Sequence, residues 1–181
     1  NAGTYLLDPN RTALCGASAG AQLAMMAAYT QGVPVYEGAD LAETCKVLAV
    51  VEQFGSTDFL KTKRHFDESG FARANDPEDP EPDAVDVMLG AKTQQMPDLV
   101  RFMNPIDNVH PGIPPTMLLH GRYDPVVPYQ QAEELFEKIR RVAGQSRAEL
   151  YIDDVFLHAD PGYAEKEWGD RIFGFLDKYL K

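Results

Sequence analysis

The chain has 181 residues, of which 28 are acidic and 17 basic, and its net charge is −11 at pH 7. A surface of that sign repels phosphate backbones and anionic headgroups, which sets aside nucleic-acid binding and docking on anionic membranes. Apolar residues make up 44% and charged residues 25%, ordinary for a globular protein with one core, and no apolar run nears the roughly 18 residues of a membrane span.

In chain order, Thr12 to Cys15 is a short apolar run ending at Gly16, and reads as a buried strand. Cys15, inside that pattern, is expected to be a buried, inert thiol. The two cysteines, Cys15 and Cys45, form neither a disulfide framework nor a zinc-like spacing. Ala19 to Tyr29 is rich in Ala, Leu and Met and reads as a helix, stopped near Gly32 and Pro34. Lys46 to Phe54 is β-branched and apolar and reads as a second strand.

From Thr57 to Asn104 the chain makes an excursion, expected to be a cap-like insertion or a solvated surface segment. Its stretch from Asp67 to Asp86 is dense in acidic residues, with Pro77, Pro80 and Pro82, and reads as a solvated loop. Val87 to Leu89 and Leu99 to Met103 read as short helices beside it. Thr116 to His120 and Ala148 to Ile152 read as a third and a fourth strand. Between them, Ala132, Leu135, Phe136, Ile139 and Val142 recur at helical spacing within Tyr129 to Ala143. Ala164 to Leu180 is a final amphipathic helix, with Trp168, Ile172, Phe175, Leu176 and Tyr179 on one face. Strands alternating with helices imply an α/β fold: a mainly parallel sheet flanked by helices, in a single domain over residues 1–181.

Three segments carry chemistry. Gly16-Ala17-Ser18-Ala19-Gly20 matches G-x-S-x-G between an apolar strand and a helix, the context in which a sharp turn lifts the serine hydroxyl clear. The helix N-terminus behind it favours a developing oxyanion, with the Ala19 N–H as the natural donor. Asp124 follows the third strand, where a carboxylate can hold the tautomer of a histidine. His158 follows the fourth, placed to act as general base and then general acid. Of the other histidines, His65 beside Lys63 and Arg64 reads as a surface residue, and His110 sits in a Pro-rich approach to the third strand. His120 ends that strand, where a structural hydrogen bond is expected. The order Ser18, Asp124, His158 along the chain is that of α/β-hydrolases.

These residues resemble the esterase/lipase branch of the α/β-hydrolases, in particular bacterial acetyl- and feruloyl-esterase-like proteins. The resemblance rests on Asp8-Pro9-Asn10-Arg11, Gly16 to Ala24, Phe54-Gly55-Ser56-Thr57-Asp58 and Asn104-Pro105-Ile106. It continues through Pro115 to Gly121, Asp124 to Gln131 and Phe175 to Leu180. It implies Ser18 as nucleophile, Asp124 as acid, His158 as base, and a small carboxylic ester as substrate, with a short acyl or aryl group, on a carbohydrate in one version. No metal or organic cofactor is implied. A serine peptidase of the prolyl-oligopeptidase type is the alternative enzyme reading, and an impaired hydrolase that only binds or assembles is the non-enzymatic one.

The sequence departs from the family pattern in three places. In the family the serine turn follows the fifth strand of an eight-stranded sheet, whereas here it begins at residue 16, so the chain reads as the C-terminal half of the fold. The sequence has no HGGG-type stretch for a second oxyanion donor, a contribution of roughly 3–4 kcal/mol in the transition state. Leu157 and Ala159 flank His158 where the family often has glycine. The run Thr12 to Cys15 is therefore expected to be an apolar sheet edge, covered by a second copy or by a missing N-terminal half. The expected compartment is the cytoplasm, with no signal peptide visible in a chain that begins at Asn1.

Overall fold

The β-branched and apolar runs build one parallel sheet. The computed structural model describes residues 1–37, 46–70 and 83–181. Its strands are β1 (Thr12–Ala17), β2 (Val47–Gln53), β3 (Thr116–Gly121) and β4 (Ala148–Asp153). They lie in the order β1-β2-β3-β4, every pair parallel, so spatial order follows chain order. The helices are α1 (Ala2–Tyr5), α2 (Ala19–Tyr29), α3 (Thr62–Ser69), α4 (Ala84–Leu89), α5 (Pro97–Met103), α6 (Gln130–Val142) and α7 (Lys166–Leu180). Cys45 and residues 71–82 of the acidic stretch lie outside the described residues.

Side-chain alternation along the strands divides the core in two. Val50 and Leu118 face one way and pack with Met25, Tyr29, Leu135 and Ile139 from α2 and α6. Ala49, Val51, Met117 and Leu119 face the other way and pack with Phe175 of α7, edged by Trp168, Ile172 and Leu176. The result is three layers, with α2 and α6 on one face and α7 on the other. Burying Phe175, which is 2% exposed, is worth about 2–3 kcal/mol.

Two expectations are corrected. Cys15 is exposed, because β1 is an edge strand with no neighbour beyond it among the described residues. His65 is buried, only 1% exposed. The turn of α3 keeps Lys63 and Arg64 outside and brings His65 and Phe66 inside. There His65 Nδ1 accepts from Gln131 Nε2 at 3.1 Å, and its Nε2 faces Glu134 at 3.2 Å.

Gln131 of α6 also anchors the start of the excursion. Its Oε1 accepts from the backbone N–H groups of Thr57 at 2.8 Å and Asp58 at 2.6 Å, and its Nε2 donates to the Asp58 carbonyl at 2.9 Å. Asn104, at the far end, donates to Asp58 Oδ1 at 3.1 Å, so both ends of the excursion close on one buried polar cluster. Asp83 caps α4 through the Val85 N–H, and Asp86 accepts from the Thr93 N–H and hydroxyl. Those bonds, with the Lys92 ammonium, hold the Asp86 carboxyl down at about 2.

Candidate active site

Ser18 occupies the single residue between β1 and α2. Its φ of 53° and ψ of −122° are a conformation that a non-glycine residue adopts only when its surroundings impose it. Two things impose it here: the Ser18 N–H donates to the Gln53 carbonyl at 2.8 Å, and its carbonyl accepts from Ala21 and Gln22. The two glycines of the motif are not equivalent. A Cβ on Gly16 would stand 2.1 Å from the Gly20 carbonyl oxygen, whereas one on Gly20 would meet nothing within 4 Å. Gly16 therefore lets the helix start close against the strand. Ser18 makes no side-chain capping bond to α2, so its hydroxyl is left for another partner.

That partner is His158, whose Nε2 lies 3.0 Å from Ser18 Oγ. His158 Nδ1 lies 2.7 Å from Asp124 Oδ2. Asp124 is 2% exposed, and its Oδ1 accepts from the backbone N–H groups of Val126 and Val127, both at 2.8 Å. Burial alone would raise this carboxyl, but hydrogen bonds from His120, His158 and the Val127 N–H outweigh it and hold the group at about 2. The carboxylate is thus charged and fixed in orientation. His120 is fully buried behind it. Its Nε2 donates to the Val127 carbonyl at 2.8 Å and stands 3.4 Å from Asp124 Oδ2, so the carbonyl takes the stronger share.

The loop that carries His158 is tied down by its own acids. Asp153 Oδ1 accepts from the N–H groups of Val155 and Phe156, and Asp160 Oδ1 from that of Gly162. It crosses the Asp124 loop at one tight point: Arg122 N–H donates to the Asp153 carbonyl and Tyr123 N–H to that of Phe156. A Cβ on Gly121 would stand 2.3 Å from the Phe156 oxygen, so glycine is required at this crossing. Ala159, directly after His158, has a φ of 53°. This is the left-handed backbone that explains the preference for glycine beside this histidine, and an alanine bears the strain here.

The sequence reading missed three residues around this line. Phe54, with a φ of 45°, sets its ring edge-on to His158 at 4.9 Å and packs on Tyr163 at 4.9 Å. Tyr163 is packed in turn against Phe156 and Trp168, and burial pushes its hydroxyl up. Glu52 lies wholly buried near the C-terminal end of β2. The only sequence signal for it was a lone acid inside an apolar strand. A cavity of about 710 Å³ borders Asp58, Lys61, Glu134 and Arg141 but none of Ser18, Asp124 or His158. Among the described residues no group of three His, Cys, Asp or Glu side chains is arranged to hold a metal ion, and no helix is long and apolar enough to cross a membrane.

A strand-turn-helix serine after β1, with an acid after β3 and a histidine after β4, is the arrangement of an α/β-hydrolase. The BD-FAE family model matches residues 1–139, and the chain belongs to that family. It is 32% identical to esterase LipC of Mycobacterium tuberculosis over 142 residues, covering 75% of this chain and 32% of LipC. Esterase LipQ of the same organism is 29% identical over 141 residues, 77% of this chain and 31% of LipQ. The chain thus spans about a third of the length of these curated relatives. Among solved structures, a truncated carbohydrate esterase from gut microbiota superposes with a TM-score of 0.79 at 24% identity, covering 98% of this chain and 62% of that one. This likeness carries the α/β-hydrolase fold.

Proposed function

We propose that this chain bears the acyl-transfer centre of a carboxylic ester hydrolase, with Ser18 as nucleophile, His158 as general base and acid, and Asp124 as the orienting carboxylate. The reading rests on one observation, the unbroken line from Ser18 Oγ to His158 Nε2 at 3.0 Å and from His158 Nδ1 to Asp124 at 2.7 Å. Membership of the BD-FAE family and likeness to esterases support ester substrates.

In this mechanism the Ser18 hydroxyl donates to His158 Nε2 and attacks the ester carbonyl as its proton passes to the imidazole. The His158 Nδ1–H stays on its own ring and donates to Asp124, whose negative charge stabilises the imidazolium. The oxyanion is met by the Ala19 N–H, one of the first N–H groups of α2, which have no partner within the helix. His158 then protonates the leaving alcohol. The alcohol departs as the tetrahedral centre collapses to an acyl-Ser18 ester, which water, activated by the same imidazole, hydrolyses to the acid. Esters of short acyl or aryl acids, including those carried on saccharides, are the substrates to test.

The test is labelling by a fluorophosphonate probe, followed by turnover of p-nitrophenyl acetate, acetylated and feruloylated saccharides, and aminoacyl-proline amides. Labelling mapped to Ser18, absent in Ser18→Ala, with turnover of esters and not amides, is the expected result. A folded chain whose Ser18 stays unlabelled overturns the reading.

A further inference from the structure

In one state of the reaction His158 loses half of its support. In the free enzyme the imidazole is held at both nitrogens, by Asp124 at Nδ1 and by the Ser18 hydroxyl at Nε2. Once Ser18 Oγ carries the acyl group it has no proton to donate, and the second bond is gone. A ring held at Nδ1 alone can pivot about the bond to Asp124. To deprotonate the incoming water it must nonetheless keep its Nε2 lone pair aimed at the acyl carbon's free face.

The turn after β2 supplies a second hold. Phe54 is 4% exposed and sets its ring edge-on to His158, with centroids 4.9 Å apart. The Phe54 ring packs on Tyr163 at 4.9 Å, and Tyr163 packs on Phe156 at 4.8 Å. The backbone beneath Phe54 is fixed as well. Its φ of 45° is left-handed, which a bulky residue adopts only where its surroundings impose it. The Phe54 N–H donates to the Leu119 carbonyl at 2.7 Å, and the Gly55 N–H donates to Glu52 Oε2 at 2.8 Å. A Cβ on Gly55 would stand 2.6 Å from Ala21 Cβ, so the turn lies tight against α2. The carbonyl just before Phe54, that of Gln53, accepts from the Ser18 N–H. One turn therefore holds the backbone of the nucleophile and carries the ring beside the base.

We propose that Phe54 is a positioning residue for His158 that acts chiefly in deacylation, and that Glu52, through the Gly55 N–H, clamps the turn that presents it. The inference rests on the triad reading given under the proposed function and gives Phe54 no contact with the reacting atoms. During acylation the Ser18 hydroxyl and the Phe54 ring both orient the imidazole. In the acyl-enzyme the ring contact and the Asp124 bond remain, and losing the ring leaves the bond alone.

The experiment follows p-nitrophenyl acetate turnover by the whole chain in stopped flow, where the burst reports acylation and the steady state deacylation. In Phe54→Leu deacylation is expected to slow about tenfold, the scale of one lost aromatic contact, with acylation within about threefold of wild type. With deacylation limiting, kcat and KM then fall together and kcat/KM hardly moves, whereas a loss of folded protein would lower kcat at constant KM. Glu52→Leu, which keeps the ring but unpairs the Gly55 N–H, should show the same pattern more weakly. Glu52→Gln, whose amide oxygen still accepts from Gly55, should return toward wild type. In the wild type, nuclear Overhauser contacts between the Phe54 and His158 ring protons should persist after a fluorophosphonate blocks Ser18. Their loss on blocking overturns the positioning role without any variant, as does equal slowing of both steps, or slowing of neither, in Phe54→Leu. Identical constants in Glu52→Leu and Glu52→Gln overturn the clamp. If wild-type Ser18 takes no label, the proposed function fails and this inference falls with it. Labelling with equal losses in both steps refutes this inference alone.

Discussion

Replacing Asp124 by asparagine tests the site at its most constrained atom. The amide has one oxygen and one nitrogen, and the structure dictates which goes where. The Oδ1 position faces two backbone N–H groups, those of Val126 and Val127, so it must stay an acceptor. The NH₂ is therefore forced to the Oδ2 position, 2.7 Å from His158 Nδ1. It donates there, so His158 must accept on Nδ1 and carry its hydrogen on Nε2, facing Ser18. In that tautomer the imidazole cannot take the serine proton. The expected loss is about 10⁴-fold in kcat, or about 5.5 kcal/mol, the scale found when a triad carboxylate becomes an amide in an unrelated serine protease. Stability should fall as well. A carboxyl held at about 2 against an ordinary 3.8 contributes about 2 kcal/mol, present above 3.8 and lost as the pH falls through about 2. The assay is p-nitrophenyl ester turnover of Asp124→Asn, normalised to folded protein by circular dichroism, with denaturant melts at pH 7 and pH 3. A kcat within tenfold of wild type would refute the reasoning, because the forced tautomer would then be catalytically harmless.

Glu52 has the opposite linkage. Its folded carboxyl sits at about 7 against an ordinary 4.5, so the stability present below 4.5 is lost as the pH rises through about 7, where the buried group must ionise. Urea melts of Glu52→Gln against wild type should show a gain near zero at pH 4.5, growing to about 3 kcal/mol at pH 8. A gain that does not change with pH would contradict the burial argument. Gly16→Ala should cost about 3 kcal/mol or more, or prevent folding, since its Cβ meets backbone 2.1 Å away. Gly20→Ala, with open space around it in a helical turn, should gain about 0.5–1 kcal/mol, and thermal melts of the pair separate the two roles. Gln131→Leu leaves the buried N–H groups of Thr57 and Asp58 unpaired. It should lower the unfolding free energy by about 3 kcal/mol, which a denaturant midpoint reads directly.

What the sequence determined was most of what local rules govern, although the described ends of the acidic stretch, read as loop, belong to α3 and α4. The β-branched runs, the helical spacing of Ala132, Leu135 and Ile139, and the small residues around Ser18 each act within a few neighbours, so their elements were legible to within a residue or two of their ends. The order Ser18, Asp124, His158 along the chain was legible for the same reason, since each follows a recognisable strand. Burial and distance belong to tertiary structure, because they depend on which element lies alongside. The apolar pattern read Cys15 as buried, while the family resemblance already implied an open edge at Thr12 to Cys15; the thiol is exposed, as an edge position allows. Charged neighbours in sequence cannot show that α3 turns His65 onto Gln131. The 2.7 Å and 3.0 Å contacts of His158 depend on the crossing of two loops at Gly121 and Phe156, residues that touch only after four strands have lined up. Glu52 and His120 are of the same kind: two groups far apart in the chain, buried on one face of adjacent strands by the register of β2 on β3.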